Sequence, residues 1–242
     1  MKRFIGGRAG VSGLAFVLWG SLLAVQSAFA QAPQAPLQKR VAACLACHKL
    51  EDQVTRDGVF PRIAGKPAGY LYNQLLNFRD GRRHYPPMTW MVSQLSDDYL
   101  REIADYFSSI KAPYPAPPAS NLPAATLERG RTLALQGDAA RKLPACVACH
   151  GERLTGVQPF IPALVGLPRD YLNAQFGAWR NGARHAAAPD CMATLSTRVS
   201  DEDLLAVTAW LAAQPMPANS APQADIKLPL PLACGSVPGS AK

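Results

Sequence analysis

One uncommon five-residue arrangement occurs twice in this chain: Cys44-Leu45-Ala46-Cys47-His48 and, 102 residues later, Cys146-Val147-Ala148-Cys149-His150. In a C-x-x-C-H segment the two thiols can add across the vinyl groups of haem while the following histidine faces the iron as its proximal ligand. Zinc sites and thioredoxin-like redox pairs share the C-x-x-C spacing, but neither requires a histidine directly after the second cysteine. Duplication strengthens the first reading. It points to two covalently attached c-type haems, bonded at Cys44, Cys47, Cys146 and Cys149, with His48 and His150 on the iron.

The N-terminus agrees with that chemistry. Lys2, Arg3 and Arg8 precede an apolar run from Leu14 to Val25 that ends at Ala28-Phe29-Ala30, the order of a cleavable secretory signal over residues 1–30. The run is short for a membrane span of roughly 20 residues. The expected mature chain therefore starts near Gln31, is soluble or peripherally membrane-associated, and works in an oxidising compartment, the periplasm.

Removing such a signal takes away three of the 25 basic residues and none of the 17 acidic ones, leaving a formal charge of +5. Two haems would add four propionates and bring the holoprotein near neutrality. Nucleic-acid binding therefore has little support.

The repeat extends well beyond the cysteines. Phe60-Pro61-Arg62-Ile63-Ala64-Gly65-Lys66-Pro67, Tyr70-Leu71 and Gln74 correspond at an offset of 101 to Ile161-Pro162-Ala163-Leu164-Val165-Gly166-Leu167-Pro168, Tyr171-Leu172 and Gln175. The offset becomes 104 where Leu95-Ser96-Asp97-Asp98 meets Val199-Ser200-Asp201-Glu202, so the second copy holds three extra residues before its last helix. Strand alternation is absent, and the expected fold is all-α. Ser96 and Ser200 can cap helices with stripes Leu100, Ile103, Ala104, Phe107 and Leu204, Val207, Leu211. Earlier helices should begin near Pro67 and Pro168. The expected organisation is a first domain at 31–111, a proline-rich linker at 112–124, a second domain at 125–213 and a proline-rich tail at 214–242.

A second axial ligand is also readable from the repeat. Met88 lies seven residues before Leu95, and Met192 seven before Val199. A neutral thioether there would favour ferrous iron and raise the reduction potential relative to a second imidazole. Met91 competes with Met88, but its counterpart is Leu195, which marks Met91 as core packing. His84 and His185 also correspond, yet their spacing to the methionines differs between copies, so they read as surface or propionate-side groups. Pro61 and Pro162, 13 and 12 residues after the motif histidines, offer carbonyls to the imidazole nitrogen that does not face iron.

With these residues in place the chain resembles class I cytochromes c, and its duplicated arrangement resembles the dihaem cytochrome c4 family over about residues 41 to 213. The resemblance implies two cytochrome c folds packed face to face, axial pairs His48/Met88 and His150/Met192, and a carrier of single electrons rather than an enzyme. Its partners would be redox proteins, with a quinol-oxidising complex or dehydrogenase as donor and an acceptor such as a terminal oxidase. The alternatives are the electron-accepting subunit of a dehydrogenase complex and a dihaem peroxidase-like enzyme, which would need a displaceable sixth ligand. Two features depart from the pattern: an unrecognisable N-terminal helix in the first copy, and the tail.

Cys191 and Cys234 are the cysteines left over. In an oxidising compartment they are expected to pair, the alternatives being two free thiols or an intermolecular bridge. Arg82, Arg83 and Arg184 lie upstream of the methionine loops and are expected to include a set that steers an acidic partner.

Overall fold

The computed structural model describes residues 36–49 and 60–240; the expected signal at residues 1–30 lies outside the described residues, as does the segment 50–59. Leu37–Lys242 forms one compact unit. Among its described residues the regular structure is helical, and β-pairing is confined to isolated bridges.

The first copy contains α1 (Leu37–Arg40), α2 (Ala42–Leu45), α3 (Ala68–Arg79), α4 (Pro86–Val92) and α5 (Asp97–Ser109). Helix α5 starts where its sequence says it should. The Ser96 hydroxyl accepts a hydrogen bond from the Tyr99 N–H at 3.3 Å, and Asp97 and Asp98 lie in the first, electropositive turn. Its buried residues are Leu100, Ile103, Ala104 and Phe107, which pack against Leu71 and Phe78 of α3 together with Val41 and Val92. Fully burying side chains such as Leu100 and Phe107 contributes about 1.5–3 kcal/mol each.

The second copy contains α6 (Ala124–Leu135), a 3₁₀ turn at Ala139–Arg141, α7 (Val147–His150), α8 (Arg169–Arg180), α9 (Cys191–Ser196) and α10 (Asp201–Ala212). Helices α6 and α10 cross so closely that a Cβ on Gly130 would lie 2.2 Å from the Ala206 carbonyl oxygen. Only glycine fits there. Among the described residues of the first copy no long helix takes that place; α1 and α2 are two short turns, and the fully buried Val41 between them packs into the core.

The repeat survives as geometry. In the first copy Arg79, ending α3, donates to the Leu95 carbonyl at 3.1 Å and to Asp97 at 2.6 Å. Arg180, ending α8, does the same with the Ser196 carbonyl at 2.9 Å and Asp201 at 2.6 Å, and it also reaches the Val199 carbonyl. Each arginine thereby ties the end of one helix to the start of the next but one, α3 to α5 and α8 to α10.

The proline-rich linker is extended, without helix or strand from Ile110 to Asn121. Buried Arg62 pins it. Its guanidinium donates to the Pro113 carbonyl at 2.7 Å and to that of Ala112, and it stacks 3.9 Å from the Tyr114 ring centroid. The tail folds back rather than trailing away. Gln223 pairs with the second copy through Gln158 N–H to Gln223 O and Gln223 N–H to Gly156 O, both 2.8 Å. Beyond it Ile226, Leu230 and Val237 pack with Val157, Phe160 and Ile161.

Candidate haem centres

Both motif histidines make the hydrogen bond their role requires. His48 Nδ1 lies 2.9 Å from the Pro61 carbonyl oxygen, and His150 Nδ1 lies 2.8 Å from that of Pro162. A carbonyl can only accept, so Nδ1 carries the proton and Nε2 keeps its lone pair free for a metal. Burial lowers the pKa of both imidazoles, against the opposing pull of the proline carbonyls; Arg83 adds to the effect at His48 and Lys66 at His150. The ligand form is therefore the neutral one.

Before attachment to haem, Cys44, Cys146 and Cys149 favour the thiol over the thiolate. Burial raises the pKa of Cys44 and Cys149 and pushes that of Cys146 up to about 11. Cys146, Cys149 and His150 line a largely apolar cavity that Met192 enters from the other chain segment. In the first copy Cys44, Met88 and Met91 all pack, partly buried, against the core of α3 and α5. Met88 and Met91 both sit on α4, one turn apart.

Polar groups at the edge of the second cavity fit the propionates of a haem. Lys66 and Arg184, both lining the cavity, are only 7% and 5% exposed. Burial lowers the Lys66 pKa, and the ionisable groups around its ammonium are Tyr114, Tyr171, Arg62 and Arg184, with no carboxylate among them. Arg184 is lowered likewise by burial and by Arg83. The buried indole N–H of Trp179, also on the cavity wall, has no partner among the described residues. Unneutralised buried cations and an orphaned donor are costly unless an anionic group completes them.

The arginines expected to steer a partner are placed otherwise. Arg83 and Arg184 meet between the copies in a four-residue knot with Gln74 and Gln175. Arg83 donates to Gln74 at 3.0 Å and to Gln175 at 2.7 Å; Arg184 donates to Gln175 at 2.7 Å and to Gln74 at 3.0 Å. Backbone bonds from His84 N–H to Ala183 O, at 2.7 Å, and from His185 N–H to Arg82 O, at 2.5 Å, run alongside. Arg184 is buried and Arg83 half-buried, and each guanidinium is engaged by two amide oxygens rather than turned to a docking protein, so the steering expectation is corrected for these two residues. Arg82 is more exposed and pairs with Asp80 at 3.0 Å. His84 and His185 are exposed, as their variable spacing implies.

Sequence reasoning singled out both arginines and both glutamines as repeat positions but not as partners of one another. Equality at matched positions was the available signal, because residues related by a pseudo-two-fold axis meet their own counterparts. Cys191 and Cys234 form the expected disulfide, with Cα atoms 4.9 Å apart.

No family model matches the chain. Among curated proteins it is 37% identical over 225 residues to the thiosulfate dehydrogenase electron acceptor of Thiomonas intermedia, covering 91% of this chain and 98% of that one. It is 31% identical to cytochrome c4 of Pseudomonas aeruginosa over 72% of this chain and 85% of that one. The chain belongs to the dihaem cytochrome c4 family. Its structure is similar to that of reduced cytochrome c4 from Pseudomonas stutzeri, with a TM-score of 0.62 and 28% identity over 73% of this chain and 95% of that one. The fold is accordingly that of class I dihaem cytochromes c. The protein is an electron carrier with two covalently attached haems, not an enzyme. Among the described residues no helix is long and apolar enough to cross a membrane.

Proposed function

We propose that this chain works in the periplasm and accepts electrons from a dehydrogenase that oxidises thiosulfate, passing them singly to an acceptor such as a terminal oxidase. The observation that carries this reading is the near full-length likeness to an electron acceptor of thiosulfate dehydrogenase, which spans 91% of the chain against 72% for cytochrome c4 of Pseudomonas aeruginosa. The haems, when bound, supply the one-electron chemistry.

The chain's own residues bind, orient and shield. In this reading domains 31–111 and 125–213 each hold one haem, through thioether bonds at Cys44 and Cys47 and at Cys146 and Cys149. His48 and His150 serve as proximal ligands, their rings fixed by the bonds to Pro61 and Pro162. Met88 and Met192 are the sixth ligands, which leave no open position for substrate and so favour transfer without bond-making. Lys66, Arg184 and the Trp179 N–H neutralise propionate charge at the edge of the second cavity.

The test is reconstitution. Oxidised holoprotein mixed with a thiosulfate dehydrogenase and thiosulfate should show both haems reduced, whereas thiosulfate alone should reduce neither. A protein that ascorbate reduces but the dehydrogenase does not would remove this donor and leave the carrier role standing.

A further inference from the structure

The tail, its disulfide and the three-residue insertion of the second copy all converge on one place. The offset between the copies changes from 101 to 104 between His185 and Met192, so the insertion falls within residues 186–191, immediately before the proposed iron ligand. The tail docks onto that same stretch. Cys234 is bonded to Cys191, the neighbour of Met192, and the Gly235 N–H donates to the Pro189 carbonyl at 2.9 Å. A Cβ at Gly235 would lie 2.2 Å from the Ala188 carbonyl oxygen, so chain and insertion are in direct backbone contact. Ser240 closes the turn, its hydroxyl donating to the Cys234 carbonyl at 2.6 Å. From this anchor Leu230, Leu232 and Val237 line the same cavity as Met192 and His150. One step further the Ser236 carbonyl accepts from Asn73 of α3 at 3.1 Å, which ties the strap to the first copy as well.

We infer that the Cys191–Cys234 bridge and the tail segment Leu230–Val237 are a positioning device for Met192: they hold its helix against the second haem and close that side of the cavity to exogenous ligands. The first copy reaches its methionine from His84 through three residues, Tyr85, Pro86 and Pro87, and no cysteine accompanies them. It has no need of a clamp, because two prolines at the start of α4 already restrict the chain. The second copy has three alanines, Ala186, Ala187 and Ala188, and a single proline, Pro189, over a longer segment, and the strap supplies the further restraint. Helix α9 is only Cys191–Ser196, too short to hold a fixed geometry by its own hydrogen bonds. A thiol reductant that converts the bridge to two thiols, becoming a disulfide itself, should therefore loosen ligation at one haem only.

This inference rests on Met192 being the sixth ligand, and the experiment separates the two. Cys191→Ser/Cys234→Ser, Gly235→Val and Met192→Ala holoproteins are reduced and titrated with carbon monoxide, and the oxidised forms are scanned for the methionine-to-ferric-iron band. The potentials of the two haems are measured by redox titration. Met192→Ala should take up about one carbon monoxide per two haems and lose about half the band. The serine pair and Gly235→Val should bind carbon monoxide at that same haem with a lowered second potential, the first haem staying unchanged as internal reference. If the serine pair fails to retain haem, Gly235→Val, which keeps the bridge, carries the test. Carbon monoxide binding in Met192→Ala but in neither strap variant, with both potentials at their wild-type values, would overturn the clamp and leave the ligand assignment intact. A Met192→Ala protein as inert as wild type would overturn the ligand assignment and the clamp with it.

Discussion

Replacing Gln175 with Leu should separate a structural role for the buried arginines from a docking role. Its amide oxygen accepts from Arg83 and Arg184, both at 2.7 Å; once it is gone each guanidinium keeps its 3.0 Å bond to Gln74, and Arg83 also keeps a longer one, 3.4 Å, to the Tyr171 hydroxyl. Hydrogen bonds to charged groups contribute about 1.5–3 kcal/mol each, and the leucine returns part of that as apolar burial. The net cost is therefore about 2–4 kcal/mol. For a unit of this size about 2–4 °C of Tm accompanies each kcal/mol, so the midpoint should fall by roughly 5–15 °C.

Circular dichroism melts of the oxidised holoprotein measure it, with haem content checked to keep cofactor loading equal. Gln74→Leu, which removes the longer pair, should cost less. The double variant should deviate from the sum of the two by about 0.5–3 kcal/mol, because both amides serve the same two cations. Reversing Arg184 to Glu should act on Tm too, leaving the ionic-strength dependence of partner reduction as in wild type. Strict additivity with a midpoint change under about 2 °C, or an Arg184→Glu protein of normal stability whose association rate collapses, would restore the docking role.

Met88→Ala should open one iron to carbon monoxide and halve the methionine-to-ferric-iron band, whereas Met91→Ala should do neither; the reverse pattern would move the ligand by one helical turn. Gly130→Val should lower Tm by several degrees in melts of the holoprotein, because its Cβ would have to displace the Ala206 carbonyl 2.2 Å away, and overpacking of this kind costs about 1–3 kcal/mol. Asp203, held by Arg129 at 2.8 Å and by Arg141, has its carboxyl pKa lowered chiefly by the Arg129 bond. A lowered folded-state pKa stabilises above the unfolded carboxylate pKa of about 4, and that contribution is lost as pH falls through the folded value. Asp203→Asn should accordingly destabilise by about 1–2 kcal/mol near neutrality, and its melting midpoint should converge with wild type in acid.

The elements most legible in the sequence are those whose signals are local. A C-x-x-C-H run, a serine followed by two acidic residues and a proline before an apolar stripe each act within one or two turns, so Ser96, Ser200, Pro67 and Pro168 mark helix starts without knowledge of the rest of the fold. The Pro61 and Pro162 carbonyls were legible for a related reason: a short loop can return to its own histidine with little choice of partner. Arg83 and Arg184 were not, because charge in sequence says nothing of which face a loop turns inward, and their shared contacts depend on the two copies packing together. The first copy's N-terminal packing was equally hidden, since two short turns carry it, with Val41 fully buried and Leu37, Cys44 and Leu45 packed beside it, where the second copy uses the twelve-residue α6.

The tail shows where periodicity and composition stop informing and covalent chemistry begins. Its prolines forbid a helix, and no apolar pattern says where it lies. Two leftover cysteines say more than the other residues of the tail together, because a disulfide brings the Cα atoms within about 7 Å and thereby draws the whole segment onto the loop that carries Cys191. The same bond explains why the copies can diverge at that loop and still share a fold. Restraint in a methionine loop can come from prolines within it, as at Pro86 and Pro87, or from a strap across it, and the longer loop of the second copy, with Pro189 alone, is the one that carries the strap.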